Sequence, residues 1–572
     1  GDDARGVTIQ TYHGLALSLL GRTFAEDGPR TPPESINFDA LITDATEMLK
    51  TPEEDALESD DTLRSRLLRG YQHILVDEYQ DISQKEYDFL SQIAGRTIKD
   101  SDQKLSILAV GDDDQSIYKF RDANVAFIQQ FKDDYEAEVH YLVQNYRSTK
   151  NIIKASNNLI RSNKDRMKTG QEIQINAQRN NEDPGGAFED LDAFRKGRVQ
   201  VIENTSPLYE AVLVLEEIRN IRKLNSDATW DQFAVVSRNK ADLDPVRALL
   251  ESEGIPVDWR AETNALPSPF RIREIHTWLL KLYEADKEMW DSDTLSELLA
   301  KHISQHGNNP WCELLYDVSE EWKADVGEGE FPVRFLREFY VEALQELRHE
   351  KRSTKGVVLA NAHRVKGLEF HHVLILSPHW KTMGTLADVE EERRLYYVAM
   401  TRAEQTLTLF QNPNLRKWLE CLKGPSVLRR EWAPSSEQKQ PMDAVSNLKH
   451  DIIGLDEVFI SYAGLRNPGT RIHKTLQSLH TGSPASLIHN GKGIVLRAEN
   501  GVEIASLSAK GRSNWESRLD RIEKIETKAI VTRYKDEGET PNGMTIRSDS
   551  WEVPVVEAVW RDGEEEGLMV AE

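Results

Sequence analysis

The sequence predicts an α/β fold of two parallel-sheet domains with helical insertions, followed by a C-terminal, mostly β domain. Three observations carry this. Apolar runs such as His73-Ile74-Leu75-Val76 and Leu105-Ser106-Ile107-Leu108-Ala109-Val110 stop abruptly at polar loops and alternate with helical patterns, as buried parallel strands do. A block from about Phe270 to Glu350, rich in Trp and Leu, has helical spacing and no clear strand signal. Beyond the polar stretch Pro434–Pro441, short strands with turn signals take over, including an Asn500-Gly501 turn between Gly493–Ala498 and Val502–Leu507.

Taken in order, Val7–Gln10 is a β-branched run that predicts a strand, Thr11-Tyr12-His13-Gly14 a loop, and Leu15, Leu17, Leu19 and Leu20 the face of a helix. Residues between Phe24 and Gly70 are polar, with one or two helices. The strand at His73 delivers Asp77-Glu78-Tyr79-Gln80-Asp81 to its C-terminal edge, where open α/β sheets bind ligands. An Asp there suits a phosphate-bound Mg²⁺ and a Glu after it an attacking water, the Walker B half of a nucleotide hydrolase. A solvated acidic turn would read the same in isolation.

The run ending at Val110 enters Gly111-Asp112-Asp113-Asp114-Gln115-Ser116-Ile117-Tyr118-Lys119-Phe120-Arg121, where aromatics interleaved with cations suit phosphate sensing and base stacking, although aromatics are more often core. His140–Val143 predicts a strand leading to Gln144-Asn145-Tyr146-Arg147-Ser148. Phe233–Val236, Val357–Leu359 and Val373–Leu376 complete a second sheet. Asn361–Phe370 and the helix Glu391–Ala403 follow. Arg402 at that helix end is either a solvated charge or an arginine reaching a phosphate held by the other sheet.

The chain has 572 residues, 39% hydrophobic and 29% charged, which is ordinary for globular domains. No apolar run reaches membrane-spanning length, so no membrane partner and a cytoplasmic location are expected. Cys312 and Cys421 lack metal-ligand spacing and read as small buried residues. A net charge of −24 argues against a general basic face for nucleic acid, but leaves room for a narrow stacking groove. No Gly-x-x-x-x-Gly-Lys-Ser/Thr occurs, and Gly1 is read as a cut end.

In this order, the six motif stretches from Thr11 to about Phe410 resemble the UvrD/Rep/PcrA group of superfamily 1 helicases. The resemblance implies RecA-like domain 1A over residues 1–135, N-terminally truncated, with a small 1B-like insert at about 24–70. It implies domain 2A over 136–266 and 353–425 and a helical 2B-like insert at 267–352. A linker at 426–450 and a β-rich domain at 451–572 follow, the latter read as a small OB-like or HIRAN-like barrel on pattern alone. ATP and Mg²⁺ are the implied cofactors. Asp77 would hold the metal, Glu78 activate water and Gln115 sense the γ-phosphate. Arg147 and Arg402 would reach that phosphate, Tyr146 would stack on adenine, and Gly367 and Glu369 would lie at the nucleotide, Glu369 on its ribose. Thr11, Tyr12, His13, Tyr118, Phe120, Arg121 and His363 match positions that meet single-stranded DNA. Tyr12 and Phe120 also read as packing residues and His363 as a core histidine.

Phe120 stands where relatives often have Trp, and both inserts are short for the family. The opening residues and the β tail further resemble the UvrD-like part of larger bacterial proteins that carry a RecQ-like helicase. The implied activity is ATP-dependent 3′–5′ movement on single-stranded DNA or a 3′-tailed duplex. Because the phosphate-cradling motif is absent, a nucleic-acid-binding module without ATPase of its own stands beside it. A helicase–nuclease reading rests on Leu519–Glu523 and Arg533-Tyr534-Lys535, where Arg533 occupies the place of a needed acid.

Overall fold

The computed structural model describes residues 7–22, 38–50, 63–99, 103–119, 123–176, 197–204, 209–260, 266–327, 329–346, 355–413, 415–432, 447–538 and 544–563. They form two compact units. The first holds the described residues up to 239 and those from 360 to 433, the second those from 240 to 359 and from 434 onward.

In the first unit, His73–Val76 and Ser106–Ala109 pair in parallel, with His73 opposite Ser106 and Val76 opposite Ala109. A larger parallel sheet runs in the spatial order Leu428–Trp432, Arg198–Asn204, Ala403–Gln411, Phe370–Ile375, Phe233–Ser237. Every residue of Phe233–Ser237 is buried, so this strand is covered on both faces and reads as an apolar run, whereas the edge strand Leu428–Trp432 is largely exposed and charged. The helix Gln84–Ala94 begins in a capping box between Ser83 and Glu86 and stops at left-handed Gly95. Buried Arg64 then satisfies carbonyls at and beyond its end, reaching Gln92 at 2.8 Å, Ile93 at 2.5 Å and Gln103 at 3.0 Å.

Two glycines shape the loops that follow the strands. At Gly111 a Cβ would lie 2.5 Å from Gln80 Oε1 and 2.8 Å from Ile128 Cδ1, so the loop can approach Gln80 only as glycine. At Gly367 φ is +81°, in the left-handed region that a side chain disfavours.

In the second unit, the helices Arg273–Glu284, Ser292–His306, Pro310–Val326 and Val333–Glu346 make up the expected helical block. A two-residue antiparallel contact, Met289–Trp290 with Phe331–Pro332, escaped the sequence reading. The C-terminal strands form a six-stranded antiparallel sheet in the order Leu448–Ile453, Ser550–Arg561, Ile522–Tyr534, Pro484–His489, Ile494–Ala498, Glu503–Ser506. The Asn500-Gly501 hairpin is present, with Val495 opposite Ser506. Sheet and helical block share one unit, joined by His276 Nε2 to Tyr534 Oη at 2.7 Å and Trp311 Nε1 to the Lys528 carbonyl at 3.0 Å. Arg247 grips Glu557 through two hydrogen bonds of 2.7 and 2.8 Å, both side chains about 6% exposed.

Several local expectations change. Val7–Gln10 forms no strand: Ile9 is 91% exposed, and no described strand pairs with it. His140–Val143 is not in a sheet either. Pairing starts one residue later, Gln144–Asn145 with Gln174–Ile175, because a strand exists only where a partner meets it. Cys312 is buried as expected, whereas Cys421 is exposed, and both are free. The Pro434–Pro441 linker lies outside the described residues. No carboxylate cluster forms at Asp520, and Arg533 pairs with Glu537 at 3.4 Å, so the nuclease reading finds no support among the described residues.

Two predictions follow from this packing. Burial alone would raise the Glu557 carboxyl, but Arg247, then Lys528, outweigh it and hold it at about 2 against the usual 4.5. A value depressed on folding stabilises fully above pH 4.5 and is lost as pH falls toward 2. Glu557→Gln should therefore cost about 1–3 kcal/mol at neutral pH in chemical denaturation, because buried Arg247 loses two charged hydrogen bonds and keeps its 2.8 Å pair with Glu251. The gap to the parent should narrow below pH 4.5. Gly111→Ala should cost about 1–3 kcal/mol by overpacking against Gln80, read from the same unfolding curves.

Candidate functional site

The strand His73–Val76 ends at Asp77 and Glu78, both exposed. Glu78 sits in the left-handed region at φ 50°, a conformation an ordinary side chain holds only when its surroundings enforce it. Three contacts do so. Asp77 Oδ1 accepts the Glu78 N–H at 2.8 Å, the Tyr79 N–H reaches the Val110 carbonyl at 3.0 Å, and the fully buried Tyr79 ring meets Phe131 edge-on at 5.1 Å. Gln80, also fully buried, bridges the two strand ends. Its Nε2 donates to Glu78 Oε2 at 2.5 Å, and its Oε1 accepts the Asp112 N–H at 2.9 Å.

On the neighbouring loop, Gln115 Nε2 donates to Asp112 Oδ2 at 2.9 Å, and Gln115 Oε1 accepts from Arg402 Nη2 at 3.2 Å. Arg402 is 3% exposed. Its other hydrogen bonds go to the Val398 carbonyl at 3.0 Å, the Leu368 carbonyl at 3.3 Å and Thr401 Oγ1 at 3.1 Å. These acceptors are all neutral. Burial first, and then the charge of Arg147, push the Arg402 guanidinium down to about 10. Arg147 donates to Glu369 Oε2 at 2.5 Å, and Asn145 Oδ1 braces the Arg147 and Ser148 amides at 3.0 and 2.8 Å. Tyr146 is 65% exposed, its hydroxyl on Gln144 Oε1 at 3.0 Å, which leaves its ring open to a stacking partner.

The structure thus brings Glu78, Gln115, Arg147, Arg402 and Glu369 into one charged neighbourhood. Lys366, which the sequence reading passed over, joins its parts: it pairs with Asp81, donates to the Gln115 carbonyl at 3.0 Å and lies 3.5 Å from Glu78. Its only sequence signal was its place beside Gly367.

The residues assigned to nucleic acid divide. Tyr118 and His363 come together, the Tyr118 hydroxyl on the His363 carbonyl at 3.3 Å and the rings 6.4 Å apart, with Lys366 Nζ 5.2 Å above Tyr118. Tyr12 does not join them. It packs against two hydrophobic clusters, and burial, then Glu86, raise its hydroxyl far above the usual tyrosine value. Thr11 caps the helix Tyr12–Leu19 by accepting from Gly14 N–H at 3.1 Å, with half-buried His13 in its first turn. Phe120 and Arg121 lie outside the described residues.

The closest set of carboxylates among the described residues is Asp112, Asp113 and Asp114, with one oxygen of each within 4.8 Å of the others. Cations and amides already occupy it. Lys168 pairs with Asp112 and lies 3.4 Å from Asp114, Arg166 binds Asp114 through two bonds of 2.7 Å, and the Met167 N–H reaches Asp113 at 2.6 Å. It is an ion-pair cluster, and Asp77 is exposed at the neighbouring strand end.

Among the described residues, no helix is long and apolar enough to cross a membrane. The family described as UvrD/REP helicase N-terminal domain matches residues 31–136, and the UvrD-like helicase C-terminal domain matches residues 140–279 and 272–413. DNA helicase II of Haemophilus influenzae is 27% identical over 432 residues, covering 62% of this chain and 57% of that protein. The ATP-dependent DNA helicase PcrA of Bacillus subtilis is 26% identical over 487 residues, 68% of this chain and 64% of that protein. DNA helicase II of Escherichia coli is 27% identical over 408 residues, 59% of this chain and 55% of that protein. The alignments thus span rather more than half of each relative. With both halves of the motor matched in order and the charged loops converging as described, the chain belongs to the UvrD-like group of superfamily 1 helicases.

Proposed function

We propose that this chain is the motor portion of an ATP-driven helicase or translocase that moves 3′ to 5′ along single-stranded DNA in the cytoplasm. The observation that carries the reading is the contact between Gln115 and buried Arg402, with Arg147 near enough to lower the Arg402 pKa. Two guanidiniums near enough to repel one another, with Glu369 as the carboxylate held by Arg147 and no carboxylate hydrogen-bonded to Arg402, favour an incoming polyanion. A nucleotide triphosphate fits that demand. In this reading residues 1–135 form one motor domain, 136–266 with 353–425 the other, and 267–352 an insert.

Asp77, exposed at the strand end, would hold Mg²⁺, which supplies charge neutralisation at the phosphates. Glu78, its carboxylate steadied by Gln80, takes the proton of the attacking water. Gln115 orients toward the terminal phosphate, and Arg402 and Arg147 stabilise the charge that develops on it. Tyr146 offers its exposed ring to the base, while Gly367 lets the chain turn so that Glu369 reaches the ribose. On the nucleic-acid side, Tyr118 and His363 form the stacking pair and Lys366 ties that pair to Gln115. Thr11 and His13 flank the strand path. Tyr12 supports it from within the packed clusters beside the helix Tyr12–Leu19, and the resemblance assigns Phe120 and Arg121 to the same nucleic-acid contact.

In the full-length protein, Glu78→Gln should retain ATP binding and lose turnover by roughly 10²–10⁴-fold, since an amide cannot accept the proton. Arg402→Ala should lose on the order of 10³–10⁵-fold in DNA-stimulated turnover. Both should bind single-stranded DNA near the parental affinity and fail to unwind a 3′-tailed duplex. Steady-state ATPase measured beside fluorescence anisotropy decides it: near-parental turnover in Arg402→Ala would refute its role. A parent that binds DNA without hydrolysing ATP would favour a binding module.

Tyr118→Ala should weaken single-strand binding about tenfold or more, at roughly 1–3 kcal/mol per stacked base. Unchanged affinity in the same titration would return Tyr118 to a packing role.

A further inference from the structure

The segment Asn163–Lys168 follows the helix Lys150–Ile160 and has no part in the mechanism above. One end is fastened to the helix Leu386–Met400, which leads into Arg402. Glu390 Oε1 accepts the Lys164 N–H at 2.8 Å, Asn163 Nδ2 donates to the Glu390 carbonyl at 2.9 Å, Arg393 donates to Asn163 Oδ1 at 2.5 Å, and Arg394 Nη2 donates to the Asp165 carbonyl at 2.6 Å. The other end grips the acidic turn before Gln115. Arg166 takes both oxygens of the fully buried Asp114, and Lys168, 11% exposed, pairs with Asp112 and approaches Asp114. Asp112 in turn accepts from Gln115 Nε2, and Gln115 Oε1 accepts from Arg402.

We infer that Lys168, seconded by Arg166, is a positioning residue that acts through Asp112 on Gln115 and so sets the geometry between Gln115 and Arg402. This deepens the ATPase reading above and rests on it. The Asn163–Lys168 segment is a strut. It holds the turn carrying Gln115 at a fixed distance from the helix carrying Arg402, independently of the single 3.2 Å bond between those side chains. A strut is needed because that bond joins a neutral amide to a cation and must open when a phosphate enters. Without the cations, moreover, three consecutive carboxylates would repel one another and leave the protein interior. Burial works to raise the Asp112 carboxyl, and Lys168 first, then hydrogen bonds from Gln115 and the Asp114 amide, more than offset it, so Lys168 is the leading partner that keeps Asp112 ionised. Arg166 keeps hold of Asp114 if Lys168 is lost, so the turn should shift rather than unfold.

The test uses the full-length protein with the variants Lys168→Met, Lys168→Arg, Gln115→Ala and the double variant Lys168→Met/Gln115→Ala. Lys168→Met should lower DNA-stimulated kcat by roughly 10²-fold, the cost of a small misplacement, with KM for ATP and the affinity for single-stranded DNA near parental values. Lys168→Arg should recover part of kcat. The double variant should be no slower than Gln115→Ala alone, because both changes cut one line of action. Multiplying effects, or parental kcat in Lys168→Met, would overturn the inference. If Lys168→Met does not fold, as judged by thermal unfolding, Asp112→Asn takes its place in the same cycle. Hydrogen exchange supplies a readout free of hydrolysis. The amides of Asp112, Asp114, Gln115 and Ser116, bonded within this turn or to Gln80, should exchange faster in Lys168→Met. Unchanged exchange overturns the inference even in a protein that hydrolyses no ATP, whereas faster exchange in such a protein upholds the strut and removes the ATPase reading.

Discussion

Three consecutive carboxylates at the end of a strand cannot be drawn into a protein interior without cations, and that constraint governs the first unit. Asp113 and Asp114 are essentially buried and Asp112 is half-buried, and Arg166 and Lys168 come from a segment some fifty residues away to neutralise Asp112 and Asp114. Separately, either group would face the desolvation of uncompensated charge. Held together, they fix the loop on which Gln115 stands. Gln80 reaches the same loop from the other side and carries its position to Glu78. The places of the Glu78 carboxylate and the Gln115 amide therefore have one physical origin.

Around that fixed loop the charges are deliberately unequal. Acids beside Gln115 are saturated by cations, while Arg402 spends its hydrogen bonds on carbonyls, a hydroxyl and an amide and keeps its charge unmatched. Buried positive charge of this kind is costly unless an anion arrives, and the depressed Arg402 pKa expresses that cost. Lys366 stands at the junction, with Asp81 and the Gln115 carbonyl on one side and the Tyr118 ring on the other. The Gln115 carbonyl and the Tyr118 ring thus share one cation, and a change in charge near Gln115 lies within a few ångströms of the aromatic pair.

The second unit solves a different problem. Its C-terminal sheet shares buried polar contacts with the helices of the same unit, among them Arg247 of the helix Asp244–Ser252 with Glu557, and His276 of the helical block with Tyr534. Pairs of this sort add directionality to an interface that apolar packing alone would leave free to slide. The sequence reading counted sheet and helical block as separate domains, since a polar linker and a change of periodicity lie between them. Contacts between residues some three hundred positions apart leave no periodic trace in the chain.

Periodicity and motif order determined a good deal. A strand buried on both faces must be apolar, so Phe233–Ser237 and the Val373–Ile375 run were legible, as were the helical block and the Asn500-Gly501 hairpin, whereas the strand before Asp77 was rightly placed but read as buried, although Leu75 is 73% exposed. Edge pairing was not legible, which is why Val7–Gln10 and His140–Val143 were read as strands although β structure is a property of two segments and not of one. Side-chain charge is equally ambiguous along a chain, because Arg166 and Lys168 look like any solvated surface pair, and Tyr12 reads equally as a nucleic-acid contact or a packing residue. Only the tertiary structure could decide that the first two are buried partners of Asp112 and Asp114 and that the third belongs to the core, since burial and the sign of the nearest charge are set by residues far away in sequence.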